Sequence, residues 1–228
     1  MTTPKQIAAC ALLACATSLF AQTSATPVNV AQLSADGTVE VQQDLLRITM
    51  GTTVSGQDAN VVQTQLKQAL DAALAVARPA VQPGQLDVRT GNFSLYLTHD
   101  KNGKVNGWQG STELVLNGRD FSRITATAGK IKSLTLANIS FGLSREQRAK
   151  VEDEAQAIAI ERFKAKALAV SKGFGFSAYT LREIRISADN QGGQYHPASD
   201  ARMAESPVPV EAGKATVLIT VSGSVQMR

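Results

Sequence analysis

Cysteine is nearly absent from this chain of 228 residues and occurs only as Cys10 and Cys15. Both lie in an N-terminal stretch that we expect to be removed, which leaves a mature chain that begins at Gln22 and has no thiol. Such a chain has no disulfide, no cysteine nucleophile and no thiolate metal site. We therefore expect its stability to come from its packed core, from contacts between subunits, or from both.

Clusters of basic residues are also missing. The net charge of +4 includes Lys5; without it, 22 Lys and Arg (23 − 1) stand against 19 Asp and Glu, which gives +3. The basic residues are scattered, and no run of them has aromatic residues between its members. This distribution does not favour a nucleic-acid partner, because such proteins concentrate positive charge on one surface.

Motifs of known catalytic and cofactor sites are lacking: there is no H-E-x-x-H, no G-x-S-x-G and no glycine-rich phosphate loop. His99 with Asp100, and His196 with Asp200, are the combinations that offer histidine and carboxylate to a metal. Histidines on turns or loops are usually solvated. We therefore predict no catalytic, cofactor-binding or metal residue and no cofactor. The alternative is a hydrolase or metal-dependent enzyme that uses His99, Asp100 and His196.

Long apolar runs are absent beyond the N-terminus, so we expect no transmembrane segment once that stretch is removed. Residues 1–6 carry a single charge, residues 7–16 are apolar, and residues 17–25 are small and weakly polar. This is the order of a secretory signal peptide. Its apolar part is shorter than the ~20 residues of a membrane-spanning helix. We expect cleavage after Ala21, with Ala25 as the alternative site.

These boundaries predict a signal peptide over residues 1–21 and a domain over residues 22–228. A lipoprotein attached through Cys15 is the alternative, because residues 12–15 (LLAC) resemble a lipobox. The apolar stretch continues through Leu19 and Phe20, which favours a cleavage site further along the chain.

What the sequence does contain is a long helix after Ser144. Ser144 and Gln147 have the spacing of a capping box, and Gly173 and Gly175 provide a stop. Its apolar residues recur at spacings of three and four, which places them on one face. This stripe is mostly alanine, so we expect close packing against another element; its members are Ala155, Ala159, Phe163, Ala167 and Val170.

Strand patterns surround this helix and two others. Ser55 followed by Asp58 can cap a helix that runs to about Arg78, and Asp120 can cap a short one through Ala128. Asn102-Gly103 predicts a hairpin turn. The inferred order β-β-β-α-β-β-β-α-β-α-β-β predicts an α+β fold, with a mostly antiparallel sheet and the two long helices packed on one face. We expect a flexible loop over residues 187–206 and a final strand over residues 208–227.

Several segments, in this order and spacing, resemble the SIMPL-domain family, which includes periplasmic immunogenic and oxidative-stress-defence proteins of Gram-negative bacteria. The resemblance covers residues 30–227. The matching segments are ADGTVEV (35–41), TGNFSL (90–95), GWQGSTELVL (107–116), ISFGLS (139–144), the alanine-rich helix ending in KGFG (172–175), and VEAGKATV (210–217). Members of the family often have Pro-Asp where this chain has Gln43-Asp44.

The resemblance implies an α+β fold of βαβ-type units and, in some members, ring-shaped or channel-like oligomers. It implies no catalytic residues. We therefore expect a non-enzymatic periplasmic protein that forms homo-oligomers and has a role in envelope or oxidative-stress defence. Binding of a small apolar or anionic ligand between sheet and helix stays open as a third hypothesis. Trp108 is expected to be a packing anchor at the end of the hairpin or, alternatively, an interface residue.

Overall fold

The computed structural model describes residues 28–189 and 211–228. The predicted signal peptide, its two cleavage sites and the lipobox cysteine lie outside the described residues, so those predictions stay untested. His196, Asp200 and residues 190–206 of the predicted loop also lie outside them.

In the described residues the chain forms seven strands and three α-helices. They follow one another as β1 (Val30–Gln42), β2 (Leu45–Gly56), α1 (Ala59–Ala77), β3 (Asp87–His99), β4 (Val105–Gly118), α2 (Phe121–Lys130), β5 (Thr135–Gly142), α3 (Arg145–Gly173), β6 (Tyr179–Asp189) and β7 (Lys214–Met227). The predicted α+β class and the antiparallel pairing of its strands are confirmed.

The described strands form two sheets, where we expected the strands to share one. One sheet has the order β1-β7-β6 and the other the order β3-β4-β2-β5. We call residues 45–142, which hold β2 to β5 with α1 and α2, the inserted unit. We call β1, α3, β6 and β7 the terminal unit. The inserted unit interrupts the terminal unit, because β1 precedes it in the chain and all partners of β1 follow it.

The core of the inserted unit consists of large aliphatic side chains between one face of its sheet and the two helices. α1 begins at Asp58, whose side chain accepts hydrogen bonds from the N–H groups of Asn60 and Val61. Alternate residues of β2 and β4 point toward the helices. The large buried residues of this core are Leu46, Ile48, Met50, Leu86, Leu114, Leu116, Ile124, Ile131 and Leu134.

In the terminal unit, α3 lies across β1 and β7 on its alanine stripe. Ala155, Ala159 and Ala167 are fully buried. At Gly37 of β1, a Cβ atom would lie 1.9 Å from the carbonyl oxygen of Ala155, so only glycine lets the two backbones approach this closely. The predicted stripe needs one correction at its end: Ser171 is buried there, whereas Val170 is half-buried.

The Ser144 cap and the Gly175 stop of α3 are formed as predicted, but Gln147 does not complete the predicted capping box, because the Ser144 N–H donates to Asp44. The Ser144 hydroxyl oxygen accepts a hydrogen bond from the Gln147 N–H at 3.2 Å. At the other end Gly175 has a φ of 83°, and the Phe176 N–H donates to the Ser171 carbonyl at 2.9 Å. Together with the bond from the Gly175 N–H to the Lys172 carbonyl, this is a Schellman motif.

Two predicted boundaries near the end of the chain are wrong. β6 continues through Asp189, so Ser187 to Asp189 belong to a strand and not to the predicted loop. β7 begins at Lys214, and residues 211–213 before it are not in a strand. Ser187 pairs with Thr220 of β7, which means that long-range pairing extends the strand into residues with weak strand propensity.

Candidate functional site

Of the residues that offered a metal or catalytic site, His99 and Asp100 lie in the described part of the chain, and Asp100 closes a turn. His99 ends β3 and is exposed. The Asp100 carboxylate accepts hydrogen bonds from the N–H groups of Asn102 (2.8 Å) and Lys104 (2.9 Å), which closes the β3–β4 turn. Among residues 28–189 and 211–228, no group of three or more His, Cys, Asp or Glu is placed to hold a metal ion.

Trp108 lies near the start of β4, where three strands meet. It pairs with Leu97 of β3 on one side and with Gly56 of β2 on the other, and it is half-buried. The predicted hairpin turn is confirmed, with Gly103 at a φ of 78°. Trp108 thus occupies an interior strand of the sheet, and its role as a packing anchor or, alternatively, an interface residue stays a prediction.

Asp44 makes a junction that sequence reasoning missed. Its carboxylate accepts hydrogen bonds from the Ser144 N–H at 2.7 Å and from the Ser144 hydroxyl at 2.6 Å. Its own N–H donates to the Gly142 carbonyl at 3.1 Å, and Arg119 Nε lies 3.4 Å from Oδ2. In a capping box the side chain at position N3 accepts a hydrogen bond from the N–H of the cap residue. Here Asp44, which is 100 residues away in the chain, accepts the hydrogen bond from the Ser144 N–H.

The two edges of the terminal sheet differ. At the β1 edge, Arg162 Nη1 donates to the Asp36 carbonyl at 2.9 Å, and Lys166 Nζ donates to the Ser34 carbonyl at 2.8 Å. Both cations come from one flank of α3. They occupy acceptors that a further strand would need, so this edge is partly closed to pairing.

The β6 edge is open in the described part of the chain, where β7 is its only strand partner. Three apolar side chains along it are exposed: Leu181 is 52% exposed, Ile184 44% and Ile186 43%. Ile186 pairs with Val221, which is buried beneath α3. Paired residues share a face, so the isoleucines lie on the same face as α3 but beyond its cover.

The flank of α3 nearest β6 adds to this apolar area. Leu168 follows the buried Ala167, whereas Lys166 of the β1 flank precedes it, so the two lie on opposite sides of the stripe. Leu168 is 41% exposed, and Phe174 at the helix end is 73% exposed. We call Leu168, Phe174, Leu181, Ile184 and Ile186 the β6 surface.

Lys164 lies on the same flank of α3 as Leu168, four residues before it. The Glu161 carboxylate, which accepts a hydrogen bond from Lys164 at 2.9 Å, raises the pKa of Lys164 above its ordinary value. Tyr179 of β6 makes a smaller contribution in the same direction.

The edges of the other sheet are less regular. The pairing of β3 with β4 shifts register between Thr90 and Phe93 and again between Thr98 and His99. The pairing of β5 with β2 shifts between Thr49 and Met50. Such bulges bend an edge and discourage further pairing. β6 has one shift, between Leu181 and Glu183, and then runs regularly to Asp189.

Comparison with known families gives one match. The sequence profile described as "SIMPL: Protein of unknown function (DUF541)" matches residues 31–225. No curated protein matches the chain. A solved structure described as "The crystal structure of AtUAH in complex with glyoxylate" aligns with 13% identity and a TM-score of 0.21, over 57% of this chain and 34% of the other. This chain thus spans about a third of that one, and a TM-score so low does not define the fold.

Proposed function

The chain belongs to the SIMPL family, and on that premise we propose that it is a non-enzymatic periplasmic protein that associates with itself and serves envelope or oxidative-stress defence. The observation that carries self-association is the β6 surface. It joins a strand edge, open within the described residues, to a row of exposed apolar side chains.

Two physical arguments support this use of the surface. Soluble proteins normally block a free strand edge, because its unpaired N–H and C=O groups invite another strand. This chain does so at β1, where Arg162 and Lys166 occupy two carbonyls, whereas among the described residues no side-chain hydrogen bond occupies a carbonyl of β6. Contiguous patches of exposed apolar side chains often mark interaction sites, whereas single exposed apolar residues do not.

A periplasmic location is supported by the signal-peptide pattern and by the cysteine content. Both cysteines precede Ala21, so the mature chain offers no thiol to an oxidant. A role in oxidative-stress defence suits a protein whose own fold does not depend on thiol chemistry. The absence of a catalytic motif supports a non-enzymatic role, and the one histidine–carboxylate pair in the described residues, His99 and Asp100, has its carboxylate engaged in a turn.

Location is tested by expressing the full chain in a Gram-negative host and sequencing the N-terminus of the protein recovered from each fraction. We expect periplasmic protein that starts at Gln22, or at Thr26 if Ala25 is the cleavage site. Recovery of the uncleaved chain from the cytoplasm would contradict the proposal. A lipid attached to Cys15 would show that the lipoprotein alternative is correct and that cleavage after Ala21 or Ala25 is wrong.

Self-association is tested by sedimentation velocity of the secreted protein over a range of concentrations. We expect a mass that is a multiple of the monomer; the full chain has 24.1 kDa. A monomer at all concentrations would refute self-association.

The defence role is tested by peroxide survival of a deletion strain, which wild-type chain should restore and an Ile184→Lys chain should restore poorly.

A further inference from the structure

We propose that β6 pairs antiparallel with β6 of a second copy, in the register that places Ile184 opposite the second copy's Ile184. This inference rests on the proposed self-association and names its partner and its geometry. It makes the β6 surface a two-fold symmetric interface, in which the same residues contact each other from both sides.

The charged residues on β6 favour a second copy of this chain as the partner. Glu183 and Arg185 flank Ile184, are exposed, and have no ion-pair partner within residues 28–189 and 211–228. They pair with Ser224 and Ser222 of β7, so both lie on the face opposite α3. A two-fold axis through Ile184 places each Glu183 opposite the Arg185 of the other copy. The strand is therefore complementary in charge to itself.

Neighbouring registers lose this complementarity. Side chains alternate between the two faces of a strand, and directly opposed residues share a face. The apolar residues of both copies therefore lie on one face only when the two-fold axis passes through a residue and not between two residues. An axis through Glu183 places two carboxylates opposite each other, and an axis through Arg185 does the same with two guanidinium groups. An axis through Ile186 pairs Arg185 with Ser187 and forfeits both ion pairs.

The same register also buries the apolar row. The two Ile184 side chains meet on the face that carries α3, and each Ile186 lies opposite the bulge at Leu181 and Arg182 of the other copy. Each copy contributes a three-stranded sheet, which gives a joint sheet of six strands with both α3 helices on one face. The Leu168 flanks of the two helices then border one shared groove above the isoleucines. Extension of the sheet stops at β1, where Arg162 and Lys166 occupy the edge.

Charge exchange at the two flanking positions tests this register. Glu183→Arg and Arg185→Glu should each replace two attractions by two repulsions, and we expect association to weaken by about tenfold or more in sedimentation experiments. An equimolar mixture of these two variants should associate again, because every Arg then meets a Glu of the other chain. The double variant E183R/R185E should associate like the wild type. Circular dichroism melting of each variant controls for folding.

The outcomes separate this inference from the proposed function. If the wild type assembles and both single variants retain its mass, the β6 register is wrong while self-association stands. If both single variants associate more weakly but their equimolar mixture does not associate again, the pairing of Glu183 with Arg185 is wrong. If the wild type is a monomer, both proposals fall.

A disulfide across the axis gives a second, geometric readout. Directly opposed residues of antiparallel strands have Cα atoms about 4.5–5.5 Å apart, within the range of a disulfide. In a chain with Cys10 and Cys15 replaced by alanine, Ile184→Cys should give a cross-linked dimer under mild oxidation. Thr38→Cys, exposed on the β1 edge, is the matched control and should not. An assembled Ile184→Cys protein that stays uncross-linked, or cross-links no more than the control, would overturn the register.

Discussion

The inserted and terminal units solve the same packing problem in opposite ways. Each lays a long helix on one face of an antiparallel sheet. In the inserted unit the space between helix and sheet is filled by leucine, isoleucine and methionine. In the terminal unit α3 presents mostly alanine, with Phe163 as its one large buried side chain in the described residues, and valines of β7 lie beneath it.

The difference teaches that side-chain volume sets the distance between layers, and that each distance has its own weakness. Near Gly37 a single added carbon would collide with the backbone of α3. A core of that kind tolerates no added atoms. The leucine core loses stability when atoms are removed, because the gap that remains is only partly filled by relaxation.

The largest effect is expected from Ala159→Trp in the terminal unit. Ala159 is fully buried at the close approach of α3 to β1, so an indole there forces the helix off its sheet. We expect loss of the cooperative thermal transition of this unit by circular dichroism. Ala157→Trp, on the exposed side of the same helix, is the control and should melt like the wild type. Equal melting of the two variants would mean that the stripe does not face the sheet.

A smaller but substantial effect is expected from Leu114→Ala in the inserted unit. Leu114 is fully buried in an interior strand, and its truncation should lower the free energy of unfolding by about 2–5 kcal/mol. Urea denaturation measures the change. Leu136→Ala on β5, where the side chain is 43% exposed, should cost clearly less. If both truncations cost the same, the core assignment of Leu114 would fail.

The junction between the units should show an intermediate effect when Asp44 is replaced by alanine. Removing the carboxylate leaves the Ser144 N–H without its acceptor and should destabilise the start of α3 by about 1–2 kcal/mol. We also expect the two units to melt less cooperatively, because this contact holds the start of α3 to the link between β1 and β2. Asp71→Ala, an exposed carboxylate paired with Lys67 on α1, is the control. A single sharp transition in the Asp44 variant would contradict this coupling.

The smallest effect concerns α2 and depends on pH. The Arg123 N–H, at 2.9 Å from Asp120 Oδ1, holds the pKa of Asp120 below its ordinary 3.8, with a further contribution from the Arg123 side chain. A carboxyl whose pKa is lower in the folded than in the unfolded state stabilises the fold at pH values above its unfolded pKa. It loses this contribution as the pH falls through its folded pKa. Asp120→Ala should therefore melt slightly lower than wild type at pH 7, and the difference should shrink below pH 3.8. A difference that persists undiminished in acid would refute the charged cap.

Features that depend on neighbouring residues were predictable from the sequence. The caps Asp58, Asp120 and Ser144 and the stop at Gly175 were all found, because hydrogen-bonding side chains and glycine act within one turn of the helix. The division into two sheets was not found. β1 pairs with β7 from Val30–Gln226 to Gln42–Lys214, and alternation along a strand does not name its partner.

The candidate site shows the same limit. The position of β6 at an edge follows from the sheet order, which local sequence does not determine. The role of Asp44 could not be predicted for the same reason, since its partner Ser144 is 100 residues away.

The interrupted order of the terminal unit governs when each part of the chain can fold. Every strand and helix of the inserted unit exists once synthesis has passed Gly142, whereas β1 is made early and its partner β7 is the last strand in the chain. Pairings between distant segments form slowly, because the intervening chain must first be brought together. We therefore expect β1 to wait, unpaired, until almost the whole polypeptide has emerged. Such a delay would keep the terminal unit open while the inserted unit is already folded.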